Sequence, residues 1–85
     1  MQLERAIEYF LIAKRAEGRA AGTIDSYGQA LYQFMTQMPD VGDTNDLDVH
    51  AIRAYIATMQ EGHLAATTVA NRTIRLKAFC NWLER

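Results

Sequence analysis

The 85-residue sequence contains one cysteine, one proline and no long apolar run. Because Cys80 has no second cysteine to pair with, no internal disulfide can form, which is compatible with a reducing compartment. No apolar stretch approaches the roughly 18 residues that cross a bilayer, and the N-terminus lacks the apolar stretch of a secretion signal. We therefore expect a cytoplasmic domain that has no membrane partner.

The residue patterns typical of metal-binding and catalytic sites are also missing. His50 and His63 lie in separate segments with no cysteine or acidic residue at ligand spacing, so the sequence predicts no metal site. There is no glycine-rich phosphate loop and no pairing of a nucleophile with a base. We accordingly expect no metal, no cofactor and no catalytic residue.

The net charge is small, but the charged residues are unevenly distributed along the chain. The net charge is −1, which argues against a strongly basic nucleic-acid binder. However, residues 40–63 carry five acids and one base, whereas residues 64–85 carry four bases and one acid. A local positive face can therefore coexist with an overall negative charge.

The residues that are present describe a folded helical protein. Apolar residues make up 49% of the chain and charged residues 22%, a composition typical of a folded domain. Runs of β-branched residues with period two are absent, and apolar residues recur at helical spacing instead. The pattern predicts helices at about residues 2–17, 21–38, 49–60 and 66–84. Their short connections predict an all-α, compact four-helix bundle.

Local signals mark the ends of these helices. Gly18 is a candidate stop for the first helix, and Pro39 bars continuation of the second. Asp48 is a candidate N-cap for the third helix, which we expect to stop near Gly62. The third helix is predicted to bury one apolar stripe, which consists of Val49, Ile52, Tyr55, Ile56 and Met59.

The second and fourth helices repeat one pattern at an offset of 45 residues. Ala20 and Ala65 occupy the same place ahead of the two helices, and Phe34 matches Phe79. Chance similarity between two amphipathic helices is one explanation. The other is a repeated unit, in which case the bundle is built from two helix hairpins.

The ordered set of residues resembles the core-binding domain of tyrosine recombinases, the phage-integrase family. The set consists of Thr23-Ile24-x-x-Tyr27-x-x-x-Leu31-x-x-Phe34, Leu47-Asp48-x-x-x-Ile52-x-x-Tyr55-Ile56 and Thr68-Val69-x-x-Arg72-x-x-x-Leu76-x-x-Phe79. The resemblance covers about residues 3–84. It implies one SAM-like core-binding domain over residues 1–85, encoded by a prokaryote or a phage.

The resemblance also implies a function and its partners. In that family a separate C-terminal catalytic domain carries the chemistry, so this fragment is not expected to be an enzyme. The two domains clamp duplex DNA at a recombination half-site, and the second and fourth helices lie near the major groove. The implied partners are duplex DNA, the catalytic domain of the same protein and other recombinase protomers in the synaptic complex.

Two departures from the family pattern affect these expectations. Ala20 and Ala65 stand where the family often has a serine or threonine cap, a change that costs about 1 kcal/mol, so capping is expected from other groups. Asp25 and Gln29 stand where cations would be common in the family. We therefore expect this fragment alone to bind DNA weakly.

Candidate DNA contacts lie on the second and fourth helices. Asn71 and Arg75 share a side away from the apolar stripe, and both residue types can contact base edges through two hydrogen bonds. Hydroxyls and free amides at helix N-termini suit phosphate oxygens. The candidate set is Arg19, Thr23, Ser26, Thr67, Thr68, Asn71, Arg72 and Arg75. The alternatives are that the arginines form a solvated face and that the threonines bond to local backbone.

A different class of function is a protein–protein interaction bundle. Ile74 and Trp82 lie off the apolar stripe of the fourth helix. The two residues either pack under the first helix or form an apolar patch for the missing domain or another protomer. In an interaction bundle the two residues would anchor a partner helix, and the arginines would form the rim of that interface.

Overall fold

A computed structural model describes residues 1–84, which form four α-helices. The helices are α1 (Leu3–Ala16), α2 (Ala21–Gln37), α3 (Val49–Glu61) and α4 (Ala66–Leu83), with a short 3-10 turn at Thr44–Asp46. The predicted all-α four-helix architecture is confirmed. No helix within residues 1–84 combines the length and the apolar character needed to span a bilayer.

The turn between α1 and α2 is set by Gly18. Its φ of 81° lies in the left-handed region, which glycine adopts without steric cost. The N–H of Gly18 donates to the carbonyl of Arg15 at 3.1 Å, and the N–H of Arg19 donates to that of Lys14 at 3.3 Å. These two bonds form a Schellman motif, which satisfies carbonyls left free at the helix end. The predicted stop at Gly18 is confirmed.

Both ends of α3 follow local chemistry. The side chain of Asp48 accepts a hydrogen bond from the N–H of Ala51 at 2.9 Å, which confirms the predicted N-cap. At the other end α3 stops beside Gly62, but the left-handed residue is His63, with a φ of 59°. The predicted burial of Val49 is wrong, because this first residue of α3 lies beyond the packed centre of the bundle and is 53% exposed.

The loop between α2 and α3 is fastened to the start of the chain. The N–H of Leu3 donates to the carbonyl of Gly42 at 3.0 Å, and the N–H of Thr44 donates to that of Met1 at 2.9 Å. Asp43 accepts from the N–H of Asn45 and pairs with the terminal ammonium. Both interactions lower the pKa of the Asp43 carboxyl, and the backbone hydrogen bond has the larger effect.

The core is an aromatic cluster centred on Phe10 of α1. Its ring meets those of Tyr27, Phe79 and Trp82 edge to face, with centroids 5.3, 5.3 and 5.5 Å away. Trp82 therefore packs against α1, which decides between the two alternatives left open for it. Ile74 remains 64% exposed.

The 45-residue repeat extends to the backbone geometry of α2 and α4. The two helices start at Ala21 and Ala66, and their N-cap residues, Ala20 and Ala65, have nearly the same dihedral angles. Phe34 and its counterpart Phe79 are both fully buried. No side chain of the described residues caps either of these helices.

Two glycines provide a matched test of this description. Gly18→Ala is expected to lower the free energy of unfolding by about 1–2 kcal/mol, because alanine is strained at a positive φ. Gly28→Ala is expected to raise it by about 0.5–1 kcal/mol, because this mid-helix glycine has room for a Cβ, 3.7 Å from Cδ1 of Leu11. Urea denaturation measures the free energy of unfolding of both variants. If both substitutions shifted it in the same direction, the different backbone conformations of Gly18 and Gly28 would be contradicted.

Candidate nucleic-acid interface

An open groove of about 620 Å³ runs between α2 and α4. Almost every side chain along it is polar, and none is acidic. The lining residues are Ser26, Gln29, Ala30, Tyr32, Gln33 and Thr36 from α2, and Thr68, Asn71, Arg72 and Arg75 from α4. The two helices that the sequence singled out therefore share one polar surface, which we call the α2–α4 groove.

The candidate residues divide between this groove and its surroundings. The structure brings five of them together in the groove, namely Ser26, Thr68, Asn71, Arg72 and Arg75. Arg19, Thr23 and Thr67 are exposed and do not line it. The guanidinium of Arg19 lies 3.7 Å from the carboxylate of Glu17, in an exposed pair that contributes little stability.

Sequence reasoning missed most of the α2 wall, including Gln29, Tyr32, Gln33 and Thr36. The 45-residue offset contains a signal for this wall, because it maps Ser26 onto Asn71 and Ala30 onto Arg75. The groove-lining side of α2 could thus have been located from the basic side of α4. Those α2 positions carry amides and hydroxyls rather than cations, so charge alone did not mark them.

Arg72 and Arg75 give the groove its positive charge. Both are half-buried, and neither forms an ion pair with a carboxylate of residues 1–84, where the ion pairs involve Met1, Lys14 and Arg19 instead. Arg75 donates from Nη1 to the backbone carbonyl of Asn71 at 3.1 Å, which holds its side chain along α4. The groove therefore has two cations whose charge is not neutralised by the described chain.

The ring of Tyr55 lies in the core, and Arg72 is close to it. This α3 residue is 0% exposed and meets Phe34 edge to face, with ring centroids 4.9 Å apart. Its hydroxyl has no hydrogen-bond partner in the described chain. Burial raises the pKa of Tyr55, and the neighbouring Arg72 guanidinium acts in the opposite direction.

Two further groups are kept in their neutral forms by their surroundings. Burial raises the pKa of Tyr32 in the groove, and the nearby carboxylates of Glu8 and Glu4 raise it further. Burial likewise raises the pKa of Cys80, with Glu84 adding to the effect. Tyr32 is thus a hydroxyl donor at neutral pH, and Cys80 is a packed thiol rather than a nucleophile.

The chemistry of the groove is that of a binding surface. Guanidinium groups provide fixed charge and paired donors, and side-chain amides both donate and accept. Within residues 1–84, no three His, Cys, Asp or Glu side chains converge as metal ligands. This combination of side chains suits the binding of a polyanion that also presents hydrogen-bonding edges, as nucleic acid does.

Comparison with known proteins gives one match. The family described as phage integrase, N-terminal SAM-like domain, matches residues 6–85. No curated protein and no solved structure matches the chain. Because the family match extends over nearly the whole sequence and the four helices agree with it, the chain belongs to the family of phage integrase N-terminal SAM-like domains.

Proposed function

We propose that this domain binds duplex DNA as part of a site-specific tyrosine recombinase or integrase, with α2 and α4 against the DNA. The observation that carries the proposal is the α2–α4 groove, where two arginines with no carboxylate partner among residues 1–84 lie among amides and hydroxyls. Family membership supports DNA as the partner for this surface. The domain would do no chemistry itself and would help to select the recombination site.

The groove residues have separate roles in this proposal. Arg72 and Arg75 would neutralise phosphates and release counterions, which makes affinity fall steeply as salt rises. Amides of Gln29, Gln33 and Asn71 are suited to the edges of bases, whereas the hydroxyl of Thr68 is suited to a phosphate oxygen. With few cations and an acidic loop between α2 and α3, affinity for DNA should be modest.

The remaining partners are also proposed from the family. They are the catalytic domain of the same protein and other recombinase protomers, which would complete the clamp around DNA. A separate function as a protein–protein interaction bundle has weaker support. Trp82, one of its two expected anchors, packs on Phe10, which leaves Ile74 as the exposed one.

Titration with duplex DNA, followed by backbone amide NMR, tests the proposal. We expect shifts at low salt that cluster in residues 26–36 and 68–75 and disappear at high salt. Dextran sulfate serves as a control polyanion without base edges, and it should leave the amides near Gln29 and Gln33 less affected. An absence of shifts at low salt, or shifts confined to α1 and α3, would overturn the proposal.

A further inference from the structure

The hydroxyl of Tyr55 is an unexplained polar group inside the core. The residue is 0% exposed, and its hydroxyl oxygen has no hydrogen-bond partner in the described chain. A buried hydroxyl without a partner destabilises a fold, because its hydrogen bonds to water are lost without replacement. Phenylalanine would keep the edge-to-face contact with Phe34, 4.9 Å between centroids, without that cost. The hydroxyl therefore needs an explanation other than packing.

Arg72 can explain why a hydroxyl is present at position 55. It lines the α2–α4 groove, is half-buried, and has no carboxylate partner among residues 1–84. Its guanidinium is close enough to Tyr55 to lower the pKa of the hydroxyl against the larger effect of burial. A hydroxyl oxygen has two acceptor lone pairs and a guanidinium has five donors, so the two groups are matched as acceptor and donor of a hydrogen bond.

We propose that Tyr55 is a positioning residue for DNA binding, whose hydroxyl accepts a hydrogen bond from Arg72 and holds its charge at the floor of the α2–α4 groove. This inference rests on the proposed function. A free arginine side chain loses rotamer freedom when it binds, and a side chain already held in place loses less. Tyr55 would thus favour binding without itself contacting DNA.

The second arginine of the groove supports this interpretation. Arg75 is held by the backbone carbonyl of Asn71 at 3.1 Å. With Tyr55 holding Arg72, both cations would be oriented by the protein, one by its own helix and the other by α3. The pairing gives α3 a role at an interface that its own side chains do not line.

The test is a double-mutant cycle on DNA affinity, measured with a fluorescent duplex at low salt. Tyr55→Phe is expected to bind about three- to tenfold more weakly than the wild type. Its unfolding temperature should change little, because loss of the hydrogen bond to Arg72 and removal of a buried hydroxyl have opposite effects on stability, whereas loss of a merely structural hydroxyl would lower it. In the Arg72→Ala background, Tyr55→Phe should have no further effect on affinity. Tyr9→Phe, which removes an exposed hydroxyl outside the groove, is the matched control.

A second measurement reports directly on the mobility of the Arg72 side chain. The heteronuclear NOE of the Arg72 Nε–Hε group is expected to fall in Tyr55→Phe, because the side chain becomes more mobile. The inference would be overturned if the wild type and Tyr55→Phe bound DNA equally well. It would also be overturned if Tyr55→Phe weakened DNA binding as much in the Arg72→Ala background as in the wild type. Absence of binding by the wild type would instead overturn the proposed function, and this inference with it.

Discussion

Replacing Phe10 with alanine is expected to remove about 3–5 kcal/mol from the free energy of unfolding, as is usual for a buried phenylalanine. Phe10 is 0% exposed, and three aromatic rings meet its own within 5.5 Å. Lys14 adds a cation–π contact at 5.2 Å from the ring centre. Since a domain of this size has a total stability of only about 4–13 kcal/mol, the variant should lose much of its folded population.

The loss has a specific physical origin, which a control on the same helix can isolate. Removing the Phe10 ring leaves a cavity between α1, α2 and α4 that Tyr27, Phe79 and Trp82 cannot all collapse to fill. Ile12→Ala removes an apolar side chain from the same helix, but at a position that is 55% exposed, so its effect should stay within about 0.5 kcal/mol. Urea or thermal unfolding by circular dichroism compares the two. Similar losses for both variants would show that Phe10 is not the centre of the core.

Features governed by neighbouring residues could be predicted from the sequence. Gly18 ends α1 because a left-handed residue is needed there, and Asp48 caps α3 because its carboxylate reaches the free amides of the first turn. The 45-residue repeat likewise pairs Phe34 with Phe79, and both are buried because helical spacing places each on the packed face of its helix.

Features that depend on how helices pack could not be predicted in the same way. The stripe of α3 includes Val49, but only the packed arrangement shows that the first turn lies outside the core. The bonds between the chain start and the loop at Gly42 join distant segments and have no local signal. The placement of Tyr55 close to Arg72 likewise depends on where α3 and α4 meet.

Only part of the candidate site could be located from the sequence, because the rest also depends on how the helices pack. The positive side of α4 could be identified because Asn71, Arg72 and Arg75 differ in type from the apolar stripe beside them. The opposite wall, formed by Gln29 and Gln33 among others, consists of neutral polar residues that are common on any exposed helix face. These residues gain significance only when the fold brings them opposite the arginines.

The second large effect is expected for removal of both groove charges. Arg72→Gln combined with Arg75→Gln should weaken binding to duplex DNA by about 10- to 100-fold at low salt, given the usual energy of arginine contacts to DNA. The slope of log affinity against log salt should also become shallower, by about 0.9 for each phosphate that is no longer neutralised. Fluorescence anisotropy over a series of salt concentrations measures both quantities.

A matched double variant distinguishes direct binding from general attraction. Arg5→Gln combined with Arg15→Gln removes the same two charges from exposed positions of α1 that do not line the groove. Long-range attraction alone would weaken both double variants equally, because each changes the net charge from −1 to −3 by loss of two cations. Direct binding by the groove arginines predicts a large loss of affinity and a shallower slope only for the groove variant. Equal losses and equal slopes would therefore remove the α2–α4 groove as the DNA-binding surface, even if the domain binds DNA.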